Sequence, residues 1–447
     1  MTMLPPVPIG VPGPQSAALL AAYDKIFYPG LVGEGYPFVA QSRSGWTVTD
    51  VDGQVFVDLV SSSASVPMGA GRTEIVEPAA AALQSFGNED SHAVFHEWML
   101  PLAQRVLELA PDGLTRVDIS LNGTESVETA VRVMRRATGR PVIIGFFGAY
   151  HGETTTTASL GAEQHEIGRE LRGLASGFVH MPYPNAYRNP FGEPRAGGTG
   201  DPWVDYLRDH VLFHLVDPSE VAGVIIEPIL GSGGVISPPD TFWPALTELC
   251  REYDWLLCLD EVKTGFGRTG EVFAADLWGL QPDLMCLGKA MGGGVMPIGA
   301  LLGTERALGG FSNLSTGSTW SWLPAACAAS LAYLDLMERE DVLPNVRALH
   351  QVAVDLLVPL VDRIHQVGDV RVQGGFVGIE FVKDKATKER DLELQDAVAD
   401  GCIKRGVLVV ASTTSLNIQP SLVMPPRAYA EALGRVLEAI EEAVAAQ

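Results

Sequence analysis

The 447-residue sequence contains few cysteines, and they form no recognisable pattern. They are odd in number, widely spaced and set in apolar runs, with no Cys-x-x-Cys pair: Cys250, Cys258, Cys286, Cys327 and Cys402. This usage indicates buried, reduced thiols and argues against a disulfide framework or a zinc site. We therefore expect an intracellular protein without a structural metal.

Positive charge is scarce as well, since 31 Lys and Arg face 54 Asp and Glu and leave a net charge of −23. Affinity for nucleic acid depends on clustered cations, so this balance argues against a protein that binds phosphate backbones. No apolar run approaches the roughly 18 residues that a membrane helix needs. The N-terminal segment has no basic residue before Lys25, unlike the charged start of a signal peptide. The expected protein is cytoplasmic, with no nucleic-acid or membrane partner.

What the chain does have is a repeated alternation of short apolar runs with helical segments. The strand-like runs after about residue 97 are 117–121, 142–146, 221–226, 255–259, 284–287 and 298–302. Short apolar strands between helices are typical of a largely parallel sheet covered on both faces. Before them, Asp52-Gly53 between alternating runs predicts a hairpin.

The domain boundaries follow from the same alternation. We expect an α/β fold with a large domain over residues 76–335. A smaller α/β domain is expected from both chain ends, residues 1–75 and 336–447, the latter with a helix over 346–364 and a strand over 406–410. One large domain with a smaller companion agrees with a chain of this length.

Two of the apolar runs lead into ionisable residues. The run 255–259 is followed by Asp260, and the run 284–287 by Gly288 and Lys289. Ligands of parallel α/β sheets gather at the carboxyl ends of the strands. An amine and a carboxylate there match the needs of pyridoxal phosphate, whose aldehyde forms a Schiff base with a lysine while a carboxylate keeps the pyridine nitrogen protonated. Taken singly, Asp260 is better explained as a helix cap or a turn residue, and Lys289 as a surface lysine.

The phosphate of such a cofactor needs its own binding site, and an acidic chain must supply it with backbone donors. Asn122, Gly123 and Thr124 lie between a predicted strand and a helix that begins near Glu125. A helix N-terminus there offers free N–H groups and a favourable dipole. Tyr150, in a loop after the next strand, has a ring that could stack on a planar cofactor. Each feature alone also fits simple helix capping or loop packing.

Seven motifs in order make the chain resemble the class III pyridoxal-phosphate aminotransferases. This group holds the ornithine, acetylornithine, 4-aminobutyrate and ω-amine aminotransferases. The matching segments are Asp-Val-Asp-Gly at 50–53, Gly-Thr-Glu-Ser at 123–126, Gly-Ala-Tyr-His-Gly at 148–152, Glu-Pro at 227–228, the eleven residues 260–270, Gly-Lys-Ala-Met-Gly-Gly-Gly at 288–294 and Gly-Ser-Thr at 317–319. The resemblance implies fold type I of the aspartate aminotransferase superfamily. In that fold a large domain with a mostly parallel central sheet joins a smaller α/β domain, and the site lies at the domain and dimer interface.

The resemblance also assigns catalytic roles residue by residue. Lys289 matches the Schiff-base lysine, which also carries the proton of the 1,3-shift. Asp260 matches the partner of the pyridinium nitrogen. Tyr150 and Val262 match the residues on the two faces of the cofactor ring, and Glu227 matches the acidic residue beside the ring hydroxyl and the substrate.

The remaining cofactor residues concern the phosphate and the subunit contact. Gly123 and Thr124 match the family's phosphate loop, and His151 belongs to the same motif as Tyr150. Thr319 matches a threonine that the family donates from the neighbouring subunit. The resemblance therefore implies a homodimer, and it leaves open whether dimers pair into tetramers.

The implied activity is transfer of an amino group by a ping-pong mechanism. The donor is a primary amine, with ω-amines, 4-aminobutyrate-like compounds and amino acids as candidates, and the acceptor is a 2-oxo acid such as pyruvate or 2-oxoglutarate. Racemases and aminomutases of the same family form the alternative, with the same cofactor and a different reaction. A cofactor-free scaffold is a third hypothesis, against which the intact Lys289, Asp260 and Tyr150 argue.

One departure from the family pattern concerns the substrate. Many relatives that bind a carboxylate use an arginine in a C-terminal strand, and Asn417 stands at the corresponding place in this chain. A neutral amide cannot form the bidentate ion pair that arginine makes with a carboxylate. Three explanations stay open: another arginine such as Arg43 supplies the clamp, the donor has no carboxylate near its amine, or the run 416–422 is matched out of register.

Overall fold

The computed structural model describes residues 3–33, 35–162, 165–171, 173–194, 197–311 and 316–447. The chain divides into two compact units. The central unit comprises residues 73–340, and the end unit combines residues 1–72 with residues 341–447. The sequence analysis placed these two divisions after residues 75 and 335.

The N-terminal part of the end unit is built around a β-hairpin. Its elements are α1 (Pro14–Tyr23), α2 (Pro29–Gly33), β1 (Ala40–Ser44), β2 (Thr47–Asp50), β3 (Val55–Asp58) and the helical turn α3 (Ser61–Ala64). β2 and β3 pair antiparallel around Asp52-Gly53, which confirms the predicted hairpin. The carboxylate of Asp50 closes the turn because it accepts the N–H groups of Asp52 (2.9 Å) and Gln54 (2.7 Å).

The turn α3 is left-handed, with positive φ at all four residues from Ser61 (+48°) to Ala64 (+67°). Left-handed helix costs roughly 1–2 kcal/mol per residue for residues with a side chain, so the turn must be held from outside. Oδ1 of Asp58 accepts the N–H groups of Val60 and Ser61, both at 2.9 Å. Oδ2 of Asp58 in turn pairs with Nη1 of Arg43 at 3.1 Å. Nothing in the sequence analysis predicted this turn.

The central unit alternates strands with helices. Its elements are α4 (Thr73–Phe86), α5 (Met99–Leu109), β4 (Arg116–Ser120), α6 (Gly123–Thr138), β5 (Val142–Phe146), α7 (Thr155–Gly161), α8 (His165–Leu171), β6 (Phe178–Met181), α9 (Pro202–Tyr206), α10 (Leu212–His214), β7 (Val221–Ile226), α11 (Phe242–Glu252), β8 (Leu256–Asp260), β9 (Leu284–Leu287), β10 (Gly299–Gly303), α12 (Glu305–Leu308) and α13 (Pro324–Arg339). The predicted strands at 142–146, 221–226 and 284–287 have the bounds of β5, β7 and β9.

Within the described residues, the strands of the central unit form one sheet in the order β4-β10-β9-β8-β7-β5-β6. The neighbours from β9 through β6 pair in parallel, and β10 runs antiparallel to both β9 and β4. Every residue of β7, β8 and β9 is buried, as expected for strands covered on both faces. The mostly parallel central sheet is therefore confirmed, and the carboxyl ends of β8 and β9 lie side by side.

The C-terminal part of the end unit completes its sheets and core. Its elements are α14 (Val342–Leu357), α15 (Leu360–Arg363), β11 (Val367–Gln373), β12 (Phe376–Asp384), β13 (Glu389–Arg390), α16 (Leu392–Lys404), β14 (Val407–Leu408), β15 (Val410–Ala411), β16 (Leu416–Ile418) and α17 (Pro426–Ala445). β14 pairs in parallel with β3 and so joins the two chain ends in one sheet. A second sheet has the order β11-β12-β16-β15. Leu349, Val398 and Val436 place α14, α16 and α17 in one apolar core.

Two predicted elements in this part were wrong in their extent. The single helix expected over residues 346–364 is broken between α14 and α15 at Pro359, because proline lacks the N–H that the helix interior needs. The single strand expected over residues 406–410 is two short strands that pair with different sheets. In the part of the chain that the structure describes, no helix combines the length and apolarity needed to cross a bilayer.

Candidate active site

The carboxyl ends of β8 and β9 bring the two predicted catalytic groups to one edge of the sheet. Asp260 is the last residue of β8 and pairs with Cys286 of β9. The N–H of Glu261 donates to the carbonyl of Cys286 at 3.0 Å, which extends the pairing past Asp260. Lys289 follows β9 with φ of +42°, a left-handed conformation that is uncommon for a residue with a side chain. Such strained backbone is concentrated at functional sites.

Asp260 is held by a buried histidine. Oδ2 of Asp260 lies 2.7 Å from Nδ1 of His151, and both side chains are almost fully buried. Oδ1 of Asp260 accepts the N–H of Val262 at 3.0 Å. Burial alone would lower the pKa of His151, but the carboxylates of Asp260 and Glu227 outweigh burial and leave that pKa raised. The Nδ1–H of His151 therefore donates to the Asp260 carboxylate and fixes its orientation.

Glu227 connects the loop of Tyr150 to the same site. Oε1 of Glu227 accepts the N–H of Tyr150 at 3.0 Å, and Oε2 accepts the N–H of Gly231 at 2.8 Å. Burial raises the pKa of Glu227, and the neighbouring His151 partly opposes that shift. Nζ of Lys289 lies 5.9 Å from the centroid of the Tyr150 ring. The tyrosine ring, the amine and the two carboxylates thus surround one position.

The surroundings of Lys289 lower the pKa of its amine. Burial lowers the pKa of Lys289, and the carboxylates of Asp260 and Glu227 offset only part of that shift. A lysine amine is a nucleophile only when neutral, and its pKa is about 10.4 in water. The lowered pKa makes the neutral form more available at neutral pH.

Glycines bring the start of α6 into direct contact with the catalytic loops. A Cβ on Gly123 would lie 2.6 Å from Cγ1 of Val262, and one on Gly288 would lie 2.9 Å from the backbone nitrogen of Gly123. A Cβ on Gly152 would lie 2.4 Å from Oγ1 of Thr124. The first turn of α6, with its dipole and outward N–H groups, is therefore packed against the segments that carry Lys289 and its neighbours.

These residues fit pyridoxal phosphate. The first turn of α6 suits the phosphate, Lys289 the aldehyde and Asp260 the ring nitrogen, while Tyr150 and Val262 supply side chains for the ring faces. The glycines at positions 123, 152 and 288 support this match, because they let the first turn of α6 pack closely against the segments that carry Tyr150 and Lys289.

Three further residues named from the sequence have surroundings of their own. Thr319 is exposed in the segment 316–323 of the central unit. Arg43 belongs to the end unit, where it pairs with Asp58. Asn417 lies in β16 of the end unit and is 2% exposed, and its Oδ1 accepts the hydroxyl of Ser415 at 2.8 Å.

Sequence reasoning missed a structural role for Glu261, next to Asp260. Its side chain is fully buried, and Oε1 accepts the N–H of Ala275 at 2.7 Å while Oε2 accepts the hydroxyl of Thr264. Burial raises the pKa of Glu261 to about 7. Its carboxyl group ties the loop after β8 to the turn at 274–277, and its place inside the 260–270 motif was the signal that could have revealed it.

We expect Gly123→Ala to weaken cofactor binding at least about tenfold, because the added methyl would meet Val262 at the start of α6. Overpacking of this kind forces local shifts of side chains and backbone that cost about 1–3 kcal/mol. The dissociation constant of pyridoxal phosphate, measured by absorbance titration of the apoprotein, checks this. The control is Gly434→Ala in α17, where a Cβ meets nothing within 4 Å. If both variants bound pyridoxal phosphate as tightly as the unaltered protein, the close contact between Gly123 and Val262 would not be what determines cofactor affinity.

Comparison with known proteins identifies the family to which the chain is similar. Residues 32–443 match the family model described as Aminotransferase class-III. The alanine/serine racemase of Pyrococcus horikoshii is 29% identical over 98% of this chain and 92% of its own. The 4-aminobutyrate aminotransferase of Mycobacterium leprae is 30% identical over 95% of each chain. The solved structure of the omega transaminase from Pseudomonas jessenii in complex with PMP is similar at a TM-score of 0.84, with 26% identity over 94% of this chain and 95% of that one.

Proposed function

The chain belongs to the class III aminotransferase family, and from that premise we propose how its residues move an amino group from a primary amine to a 2-oxo acid. The cofactor of the family is pyridoxal phosphate, which when bound supplies an electron sink for the negative charge left by the departing proton. The observation that carries the assignment is the cluster of Lys289, Asp260, His151, Tyr150 and Glu227 at one sheet edge. Each residue then has a separate task.

Lys289 has two tasks in this proposal. Its amine, with a pKa lowered by burial, is the nucleophile that holds the cofactor between turnovers. Once the substrate amine has displaced it, the same Nζ accepts a proton from one carbon and returns it at another. Tyr150, whose ring centroid lies 5.9 Å from Nζ, confines that amine to one side of its ring.

Asp260 and His151 act together on the ring nitrogen. The carboxylate of Asp260 keeps the nitrogen protonated, and the buried pair with His151 holds the carboxylate in place. A buried carboxylate needs a compensating partner, because an unpaired charge loses its hydration when it is buried. Removal of one partner from a buried ion pair typically destabilises a protein by about 3–5 kcal/mol. Glu227, anchored to the N–H groups of Tyr150 and Gly231, stands beside the position of the ring hydroxyl and the substrate.

We propose that the phosphate site is completed in a homodimer, as the family resemblance of Thr319 implies. Gly123 and Thr124 supply backbone donors at the start of α6, and Thr319 of the partner subunit completes the site. Support comes from the exposure of Thr319 and from large apolar side chains on the surface of the central unit, which include Phe95 (80% exposed), Leu100 (66%) and Trp320 (53%). Aromatic side chains such as Phe and Trp are enriched at the cores of protein interfaces. Further pairing of dimers into tetramers is left to measurement.

The donor proposed for this chain is an amine without a carboxylate near the reacting nitrogen. Asn417 stands where relatives with carboxylate substrates have arginine, and its buried amide is already hydrogen-bonded to Ser415. Arg43, the alternative clamp, is paired with Asp58 beneath the left-handed turn α3. A neutral amide gives up the charge-assisted bidentate bonds that would favour a carboxylate.

We expect arylalkylamines and diamines to convert the cofactor to its amine form at least about tenfold faster than 4-aminobutyrate does. The reason is that 4-aminobutyrate lacks a charge-assisted hydrogen bond to its carboxylate in this site, and such a bond is worth roughly 1.5–3 kcal/mol. Stopped-flow absorbance of the cofactor during the donor half-reaction provides the measurement. In Asn417→Arg the order should shift toward 4-aminobutyrate, and Asn417→Gln is the matched neutral control. A strong preference of the unaltered protein for 4-aminobutyrate or ornithine would overturn the proposed donor class.

Racemisation is a second candidate activity. The Pyrococcus horikoshii relative, whose similarity extends over nearly the whole length of this chain, is an alanine/serine racemase. The residues that remove and return a proton serve either reaction. The two differ in the fate of the cofactor, since racemisation leaves it in its aldehyde form and transamination converts it to the amine form. A chiral assay with L-alanine and no 2-oxo acid separates them.

The cytoplasmic location stays a prediction. All five cysteines are buried free thiols, and the sulfurs of Cys258 and Cys286 lie 3.8 Å apart. Buried free thiols are typical of a reducing compartment, and fractionation of the native host cell would test the location.

A further inference from the structure

The segment 316–323 of the central unit, named here the anchored loop, is buried at one end and exposed in the middle. Ser321 is fully buried and Trp322 is 1% exposed, whereas Trp320 is 53% exposed. Thr319 is exposed beside Trp320. The loop therefore presents two side chains outward from a fixed base, and the contacts of that base show what controls their position.

Trp322 forms the first part of the base. Its φ of +53° is strained for a bulky residue, so the surrounding contacts must over-determine it. The carbonyl of Trp322 accepts bonds from Ser91 (2.9 Å), His96 (2.8 Å) and the thiol of Cys327 (3.4 Å). Its indole N–H donates to the carbonyl of Gly299 in β10 at 2.7 Å. This end of the loop is fixed to the body of the central unit.

Ser321 links the loop to the start of α6. Its hydroxyl accepts the N–H of Ser318 at 2.9 Å and donates to Oε2 of Glu125 at 3.0 Å. The same Oε2 accepts the N–H of Leu121, directly before α6. The N–H of Glu125 donates to Oδ1 of Asn122, the N-cap of the helix. One carboxylate thus ties the anchored loop to the turn that leads into Gly123 and Thr124.

We propose that Ser321 and Glu125 are positioning residues that couple the phosphate helix of one subunit to the loop that reaches the cofactor phosphate of the partner subunit. This inference rests on the proposed homodimer in which Thr319 acts across the interface. Neither residue touches the cofactor in this account. A phosphate at the start of α6 stabilises the turn that holds Glu125, Glu125 holds Ser321, and Ser321 sets the position of Thr319.

The coupling has a thermodynamic consequence. Cofactor bound to one subunit orders the loop that serves the other, so the second molecule binds more tightly than the first. Coupling between sites is reciprocal, and its usual size corresponds to about 5–150-fold in affinity. The apoprotein dimer should accordingly bind pyridoxal phosphate with positive cooperativity.

Titration of the apoprotein with pyridoxal phosphate, read by tryptophan fluorescence, tests the coupling without any measurement of activity. We expect a Hill coefficient above 1 for the unaltered protein and a value of 1 for Ser321→Ala, with affinity lowered about tenfold. Ser219→Ala is the control, because that exposed hydroxyl donates to Asp217 and both residues are far from the anchored loop in the sequence. A Hill coefficient of 1 in the unaltered protein, or an undiminished one in Ser321→Ala, would overturn the inference.

Mixed dimers show whether Ser321 acts across the interface. In a dimer of one Lys289→Ala subunit and one Ser321→Ala subunit, only the latter can bind the cofactor covalently, and its partner supplies an intact loop. Borohydride reduction followed by mass spectrometry measures occupancy of that subunit. We expect its affinity to return to that of the unaltered protein; affinity that stays low would show that Ser321 acts within its own subunit and would contradict the coupling.

The same mixed-dimer experiment with a Thr319→Val subunit distinguishes an error in the proposed coupling from an error in the proposed homodimer. Rescue of Thr319→Val without rescue of Ser321→Ala leaves the homodimer proposal standing and rejects the coupling. No rescue of Thr319→Val rejects the role of Thr319 across the interface. If Ser321→Ala does not fold, Ser321→Cys replaces it, because a thiol is only a weak hydrogen-bond donor and acceptor and the start of α6 is left unaltered, and the same rescue is expected.

Discussion

Lys289→Ala is expected to abolish transamination while the fold stays intact. Lys289 is the nucleophile and the proton carrier in this account, because its amine is the one that follows β9 at the sheet edge. Loss of a positioned acid or base alone costs about 10²–10⁴-fold in rate, and loss of the nucleophile adds to that. We therefore expect kcat to fall by at least about 10⁴-fold. The measurement is steady-state formation of the amino product, with circular dichroism to verify the fold.

A second readout of Lys289→Ala separates chemistry from stability. The variant should bind pyridoxal phosphate reversibly, so that dialysis removes the cofactor and borohydride fixes none at residue 289. Lys404→Ala, at an exposed position in α16, is the matched control and should retain both activity and covalent cofactor. Substantial turnover by Lys289→Ala would remove the basis of the mechanism.

Asp260→Asn is expected to keep the cofactor and lose most of the rate, about 10³-fold in kcat. An amide is close in shape to a carboxylate, so the packing against His151 and Val262 is preserved. It carries no charge to keep the ring nitrogen protonated, and loss of one preorganised electrostatic contact commonly costs about 10²–10³-fold. Single-turnover rates with excess donor, compared with the dissociation constant of the cofactor, test this separation of rate from binding.

His151→Asn is the matched comparison for Asp260→Asn. It leaves the carboxylate in place and removes the imidazole that orients it at 2.7 Å, so its loss of rate should be smaller, about tenfold to 10²-fold. A loss in His151→Asn as large as that in Asp260→Asn would show that the histidine does more than orient. An Asp260→Asn variant with nearly full activity would contradict the role of the carboxylate.

The proximity of Asp260 and Lys289 could be predicted from the sequence because neighbouring parallel strands place their carboxyl ends together. The runs before Asp260 and Lys289 predicted two neighbouring strands, and the structure gives them as β8 and β9 with the expected side chains at the same edge. The motif around Tyr150 likewise predicted a loop at the site, and the bond from its N–H to Glu227 brings that loop there. Local sequence is informative where function depends on strand order and short motifs.

Features that depend on distant contacts were not accessible in the same way. The bond between Ser321 and Glu125 joins residues 196 positions apart, and although Glu125 lies in the motif at 123–126, nothing in that motif indicates Ser321 as its partner. The left-handed turn α3 depends on Asp58 and Arg43, which hold a conformation that a run of serines does not itself favour. These arrangements follow from the packed structure, because their free energy comes from partners that only the fold brings together.

The form of the cofactor after a single exposure to donor tests the central claim most directly. The holoenzyme is mixed with an excess of a primary amine and no 2-oxo acid, and the cofactor and the carbonyl product are then quantified. The account predicts complete conversion to pyridoxamine phosphate with one carbonyl product per subunit, and return of the aldehyde form when pyruvate is added. An aldehyde form that persists while a chiral donor loses its optical purity would contradict it and identify the chain as a racemase.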